Sequence, residues 1–200
     1  MRDIGRIDDG RITKECGAGL LPVDVAGDSA TLTGGTPLLR DAIDPAETLA
    51  ALGLTASDLV GDPLHWAGCG LTFGFLHVVP DAVARVDVDI NRLGKIDGVE
   101  GGVSVFSLAD GVAHARVFAG GVGVAEDPAT GSAALGLGVW LVATGQVAPD
   151  GETAYVIKQG IEIGRPSRLE CVVRADAGAA AECRVTGSVV PVAAGQIRVP

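Results

Sequence analysis

Ser132 to Ala143 reads SAALGLGVWLVA, a stretch with no charge and no polar face beyond its opening serine. A helix that is apolar on nearly every side is stable only where protein surrounds it. The chain must therefore enclose a central helix with other elements. Gly136 and Gly138 remove two side chains from that helix and let strands pack close against it. Helix is predicted over Thr130–Thr144, with Thr130 as its N-cap. Its longest apolar run, Ala133 to Ala143, is too short to cross a bilayer.

The rest of the chain can supply that enclosure. Its 200 residues make one ordinary domain or two small ones. A hydrophobic share of 48% against 20% charged residues is enough for a substantial core. Thirty glycines and only 4% aromatics point to short strands and tight turns. The 25 acids against 15 bases leave a formal charge of −10. That balance argues against nucleic acid and anionic membrane surfaces as partners, because both need concentrated Lys and Arg. The opening Met-Arg-Asp-Ile-Gly lacks the apolar region of a signal peptide, so a soluble, cytoplasmic protein is expected. Cys16, Cys69, Cys171 and Cys183 lie far apart without a CxxC pair. Free, buried thiols are expected from them, and no metal site.

Residues 1–13 are polar and expected to fray. Cys16 to Val25, a Gly27-Asp28 turn and Ser29 to Leu32 make residues 14–34 a hairpin. Asp44, Pro45 and Gly53 mark the start and end of a short helix. Leu71 to Val79 is a buried strand, residues 81–96 are weakly helical, and Gly102–Leu108 with Val112–Ala119 form a second hairpin. Tyr155–Lys158, Arg168–Arg174, Glu182–Val185, Ser188–Val192 and Gln196–Val199 read as strands. The class is α+β, mostly antiparallel rather than βαβ.

Chemistry concentrates where the central helix begins. A glycine loop runs into Glu126 and Asp127, then a proline, then Thr130, Gly131 and Ser132. The first-turn N–H groups have no partner within the helix and attract an anion, which a glycine lets approach closely. Asp127 at the rim suits proton transfer beside a bound carboxylate. The plainer alternative is that Glu126 and Asp127 only complement the helix dipole or cap the turn. GGVGVAE lacks the third glycine of a dinucleotide fingerprint, and no GxxxxGK[ST] occurs.

EDPATGSAA (Glu126–Ala134), preceded by RVFAGGVGV and followed by QGIEIGRPS (Gln159–Ser167), resembles the signature of the PhzF-like proteins of the phenazine-biosynthesis family. CGAGLLPV (Cys16–Val23) and Gly70 with its following strand fit the same family. The resemblance implies a diaminopimelate epimerase-like fold: two similar halves, each an antiparallel sheet wrapped around a central helix, with the active site between them. It implies cofactor-independent isomerisation or epimerisation by moving a proton at carbon, with no metal. Asp127 matches the motif acid of the active site, and Thr130, Gly131 and Ser132 match the helix start that binds the substrate's carboxylate. Gln159, Gly160, Gly164, Arg165, Pro166 and Ser167 match the second motif, expected to shape the cleft. A surface ion pair or dimer contact for Arg165 and a turn hydrogen bond for Ser167 are the alternatives.

The family also carries a catalytic glutamate and a Gly-His motif in its first half, ahead of the strand that CGAGLLPV matches. No residue here takes those roles. Glu15 stands in the wrong place, and His65, His77 and His114 are expected to be structural or at the surface. Roughly the first third of a usual member is therefore expected to be absent. Residues 64–184 are expected to form a complete second half, residues 1–40 with 188–200 a partial first half, and 41–63 a linker with a short helix. The function implied is isomerase-type proton transfer on a small carboxylate-bearing metabolite. The alternatives are a non-catalytic carboxylate binder, or one subunit of a split isomerase. A homodimer or a partner chain carrying the missing segment follows from either the exposed strand edges or the absent glutamate.

Overall fold

The computed structural model describes all residues except 1–4, 6, 62, 97–100, 191, 194, 197, 199 and 200. β1 (Gly10–Cys16), β2 (Gly19–Ala26) and β3 (Ser29–Thr33) form an antiparallel meander. Residues 10–13 of the polar opening expected to fray begin β1, whose seven residues all pair with β2, while residues 1–4 and 6 lie outside the described residues. Cys16 ends β1, so the expected strand from Cys16 to Val25 is broken by the Gly17-Ala18 turn. β4 (Leu38–Leu39) lies beside β5 (His65–Gly68), which turns into β6 (Thr72–His77). β7 (Val103–Ala109) and β8 (Val112–Ala119) are the expected hairpin, and β9 (Val124–Asp127) folds back on β8. β10 (Gly151–Gln159), β11 (Ser167–Asp176) and β12 (Ala179–Ser188) complete the sheet.

The order is β1-β2-β3-β12-β11-β10-β8-β7-β6-β5-β4, with β9 on β8. The sheet is mixed rather than all antiparallel. β6 runs parallel to β7, and β8 parallel to β10. Parallel neighbours need a crossover of a dozen or more residues. The first crossover carries α2 (Pro80–Ala84) and α3 (Ile90–Leu93), and the second carries α4 (Gly131–Ala143). β12 runs through Ser188, and Val189 N–H reaches Asp28 O at 2.7 Å. The strands expected at Ser188–Val192 and Gln196–Val199 are not found: Val190, Val192, Gln196 and Arg198 are outside strands, and Pro191, Ile197 and Val199 lie outside the described residues.

Two cores flank the sheet. α4 is enclosed by β4, β5, β6, β11 and β12, and every residue from Ala133 to Val142 is buried. The close approach expected at its glycines is real. A methyl added at Gly136 would stand 2.9 Å from Ala67 O, and one at Gly138 2.6 Å from the Tyr155 hydroxyl. The second core joins α1 (Ala46–Ala51) to α2, α3 and the other sheet face. Asp44 Oδ1 accepts from Ala46 N–H at 2.9 Å to start α1, and Gly53 at φ +67° ends it. Leu49, Ala51, Leu52 and Leu54 are buried beside Leu64, Trp66 and Leu76. Within residues 41–63, expected to be a linker with a short helix, Leu49, Ala51, Leu52 and Leu54 belong to this core. Among the described residues, no helix is long and apolar enough to cross a membrane.

Candidate functional site

β8 brings the two motifs together. β10 pairs with the first part of one edge of β8, setting Gln159 opposite Ala115. β9 takes over further along β8, setting Asp127 opposite Val117. Residues 115 and 117 share a face because strand side chains alternate, so Gln159 and Asp127 meet although 32 residues separate them. Gln159 is fully buried with its amide fully used. Its Nε2 donates to Asp127 O at 2.6 Å and to Thr130 Oγ1 at 2.9 Å, and its Oε1 accepts from Thr130 N–H at 3.2 Å. The Thr130 hydroxyl donates to Asp127 Oδ2 at 2.6 Å.

This network changes the part Thr130 plays. It holds the N-cap position of α4, but its side chain makes no capping bond, because the hydroxyl is committed to Asp127. The first turn keeps its N–H groups and the positive end of the helix dipole free of a side-chain cap. Gly131 and Ser132 are half-buried there. No described residue donates to Asp127 Oδ1, which leaves one carboxylate oxygen available as a proton acceptor.

A pocket of about 430 Å³ opens beside this helix start, between the β1–β2 and β5–β6 turns. Ser132, Lys14, Cys16, Cys69, Gly70 and Leu71 are among its walls, and among the described residues Lys14 is the one charged side chain lining it. Asp127 does not line it. Gly70 has φ +127°, and a Cβ there would stand 3.0 Å from the Ala18 Cβ, so the two turns close on each other only with glycine at this position.

The remaining motif residues have structural partners. Glu126 forms a two-pronged ion pair with Arg116, Nε to Oε1 at 3.0 Å and Nη2 to Oε2 at 2.8 Å, with both side chains nearly buried. Gly160 has φ +77° and packs under Pro128 O and Arg165 O. Arg165 N–H closes that loop on Gly160 O at 2.8 Å, while the Arg165 residue itself is exposed. Gly164 has φ +67°, and Ser167 Oγ donates to Arg165 O at 3.3 Å, a turn bond. His77 stacks on Phe106 with ring centroids 5.2 Å apart, and burial lowers its pKa. His114 Nε2 lies 2.8 Å from Glu162 Oε1 without hydrogen-bond alignment, and His65 is half-buried on β5.

Residues 3–195 match the family model described as phenazine biosynthesis-like protein. The chain belongs to this family. An uncharacterized isomerase of Clostridium acetobutylicum is 30% identical over 200 residues, covering 91% of this chain and 66% of the relative. The trans-2,3-dihydro-3-hydroxyanthranilate isomerase of Pseudomonas aeruginosa is 36% identical over 126 residues, 62% of this chain and 43% of the relative. The chain thus spans 43% to 66% of the length of these two relatives. The crystal structure of the PhzF-family phenazine biosynthesis protein of Bacillus anthracis superposes with a TM-score of 0.79 at 21% identity, covering 94% of this chain and 68% of that one. The fold is therefore PhzF-like.

In this phenazine-biosynthesis-like chain the sequence reading located Asp127, Thr130, Gly131 and Ser132 at one helix start. It assigned Gln159 only to the cleft wall, whereas the side chain clamps both Asp127 and Thr130. It gave Arg116 no part. The alternation in Arg116-Val117-Phe118 against Glu126-Asp127 was the available signal, since it sorts the cation and Glu126 onto one face and Asp127 onto the other. The pocket walls Lys14, Cys16 and Cys69 carried no local signal.

Proposed function

We propose that this chain is an isomerase of the phenazine-biosynthesis-like family, moving a proton at carbon on a small carboxylate-bearing metabolite. One observation carries the proposal: Asp127 is held by the Thr130 hydroxyl and Gln159 at the uncapped start of a buried helix, beside a pocket that Ser132 lines. The substrate carboxylate sits on the N–H groups of Gly131 and Ser132, where the helix end carries roughly half a positive charge. Thr130 fixes Oδ2 of Asp127, and Oδ1 takes or returns the proton. Charge that develops on the substrate in the transition state is stabilised by the same N–H groups, oriented before reaction begins. The isomerase names of the two relatives support this reaction class. The second acid–base group comes from outside residues 1–200, a homodimer or a partner chain is the proposed assembly, and the cytoplasm is the proposed compartment.

Two measurements test the proposal. In the enzyme reconstituted with the second acid–base group, solvent deuterium incorporation into trans-2,3-dihydro-3-hydroxyanthranilate should fall about a hundredfold or more in Asp127→Asn. Calorimetric titration with benzoate should show weaker binding by Gly131→Val, a substitution that the fold admits because the nearest atom to the new Cβ is Val185 Cγ1 at 3.7 Å. Unchanged exchange in the first variant, or equal affinity in the second, refutes the respective role.

A further inference from the structure

We infer that Arg116 is a positioning residue for Asp127, acting through Glu126. The inference rests on the proposed proton-transfer role of Asp127. Consecutive residues of a strand point to opposite faces, so the adjacent carboxylates of β9 go to different sides of the sheet. Asp127 pairs with Val117, whose side chain belongs to the core around α4. Glu126 goes to the face of Phe118, which belongs to the second core. There Arg116, only 8% exposed, sets its guanidinium 5.1 Å from the centroid of the Phe118 ring. All three guanidinium nitrogens are engaged. Nε and Nη2 grip both oxygens of Glu126, and Nη1 donates to Val83 O at 3.3 Å and Val86 O at 3.0 Å around the end of α2.

The ladder that holds β9 to β8 is short. β9 is four residues long and its pairing with β8 shifts register between Val117 and Ala119. Gly120, Gly121 and Gly123 precede it, the last at φ +79°. A single hydrogen bond at Glu126 would fix a distance but not an orientation for this short strand. A planar fork on two carboxylate oxygens fixes both, because two parallel bonds define an orientation as well as a distance. With Glu126 pinned on one face, the Asp127 carboxylate on the other is aimed at Thr130. Gln159 then holds the Asp127 carbonyl from the far side.

The signature to measure is the side-chain amide of Gln159, seen by NMR of the full chain. Arg116→Lys keeps the charge but loses the fork. It should speed solvent exchange of the Gln159 NH2 protons by about tenfold, a local opening, with the α4 amides unchanged as the measure of an intact fold. If Arg116→Lys does not fold, Arg116→Met combined with Glu126→Met removes both charges together. Such a replacement of a buried pair is often neutral in stability, and the same acceleration is expected from it. If Arg116 only braces α2, the Val83 and Val86 regions change while the Gln159 signals stay as in wild type, and that result overturns the inference. Wild-type deuterium incorporation by Asp127→Asn overturns the proposed role of Asp127 instead, whatever the Gln159 signals do.

Discussion

Gly160→Ala should be among the most damaging single-methyl changes in this chain, and its cost separates into two parts. Gly160 follows Gln159 directly and stands at φ +77°. A non-glycine residue in the left-handed region costs about 1–2 kcal/mol. Alanine also restricts the unfolded chain, which returns about 0.4–1 kcal/mol. The added methyl would be driven against Arg165 O and to 2.9 Å from Pro128 O. Both are backbone atoms, held by the loop closure of Arg165 N–H on Gly160 O and by the Gln159 clamp. They cannot rotate away as a side chain would, and overpacking of this kind costs about 1–3 kcal/mol. The net loss should be about 3 kcal/mol, which lowers Tm by about 6–12 °C in a chain of this size. Gly164→Ala is the control: φ is +67° but no atom lies within 4 Å of the added methyl. It should lose only the backbone part, about 1 kcal/mol. Denaturant titration of both variants, followed by circular dichroism, measures the difference. Equal losses for the two would show that the crowding under Pro128 and Arg165 is not real, and with it the rigid seat assigned to Asp127.

Three further outcomes follow from the same contacts. Thr130→Val removes the donor to Asp127 Oδ2 and one acceptor of the buried Gln159 amide. It should cost about 1–2 kcal/mol in chemical denaturation, and a neutral result would break the network. Burial lowers the His77 pKa below its ordinary 6.5, so as pH falls the unfolded chain binds the proton first. Stability from this group is intact above pH 6.5 and declines below it. His77→Phe, which keeps a ring beside Phe106, should flatten the fall in Tm between about pH 7 and 5.5; an unchanged slope refutes the assignment. Burial pushes the Cys171 thiol up to about 12, and Cys183 is also raised, first by its hydrogen bond with Cys69 and then by burial. Under native conditions a thiol reagent should label half-buried Cys16 well before either, and labelling of Cys171 at the rate of Cys16 would show that its core is open.

Local chemistry determined a definite share of this protein. The apolar run of α4 forced a surrounding sheet, and Gly136 and Gly138 marked where that sheet approaches. The Ala109-Asp110-Gly111 turn set the β7–β8 hairpin, and Asp44 with Gly53 bounded α1. The EDPATGS run placed Asp127, Thr130 and Ser132 together because they are neighbours along the chain. These features rest on interactions spanning a few residues, where periodicity and turn preference have a direct signature.

Tertiary structure decided which strand edges meet. β1 is polar and looked free, yet it pairs with β2 because β2 had an open edge and backbone groups to satisfy. The parallel pairings came from the two long crossovers, whose lengths are legible but whose landing sites are not. Gln159 became part of the candidate site only because β9 and β10 share one edge of β8, an event that no local pattern encodes. The division of labour between Glu126 and Asp127 came from the faces of that sheet. One face offered Arg116 and turned its carboxylate into a brace, and the other offered Thr130 and left a carboxylate oxygen with no donor among the described residues. Two adjacent acids of the same charge thus acquire different chemistry from what lies above and below the strand that carries them.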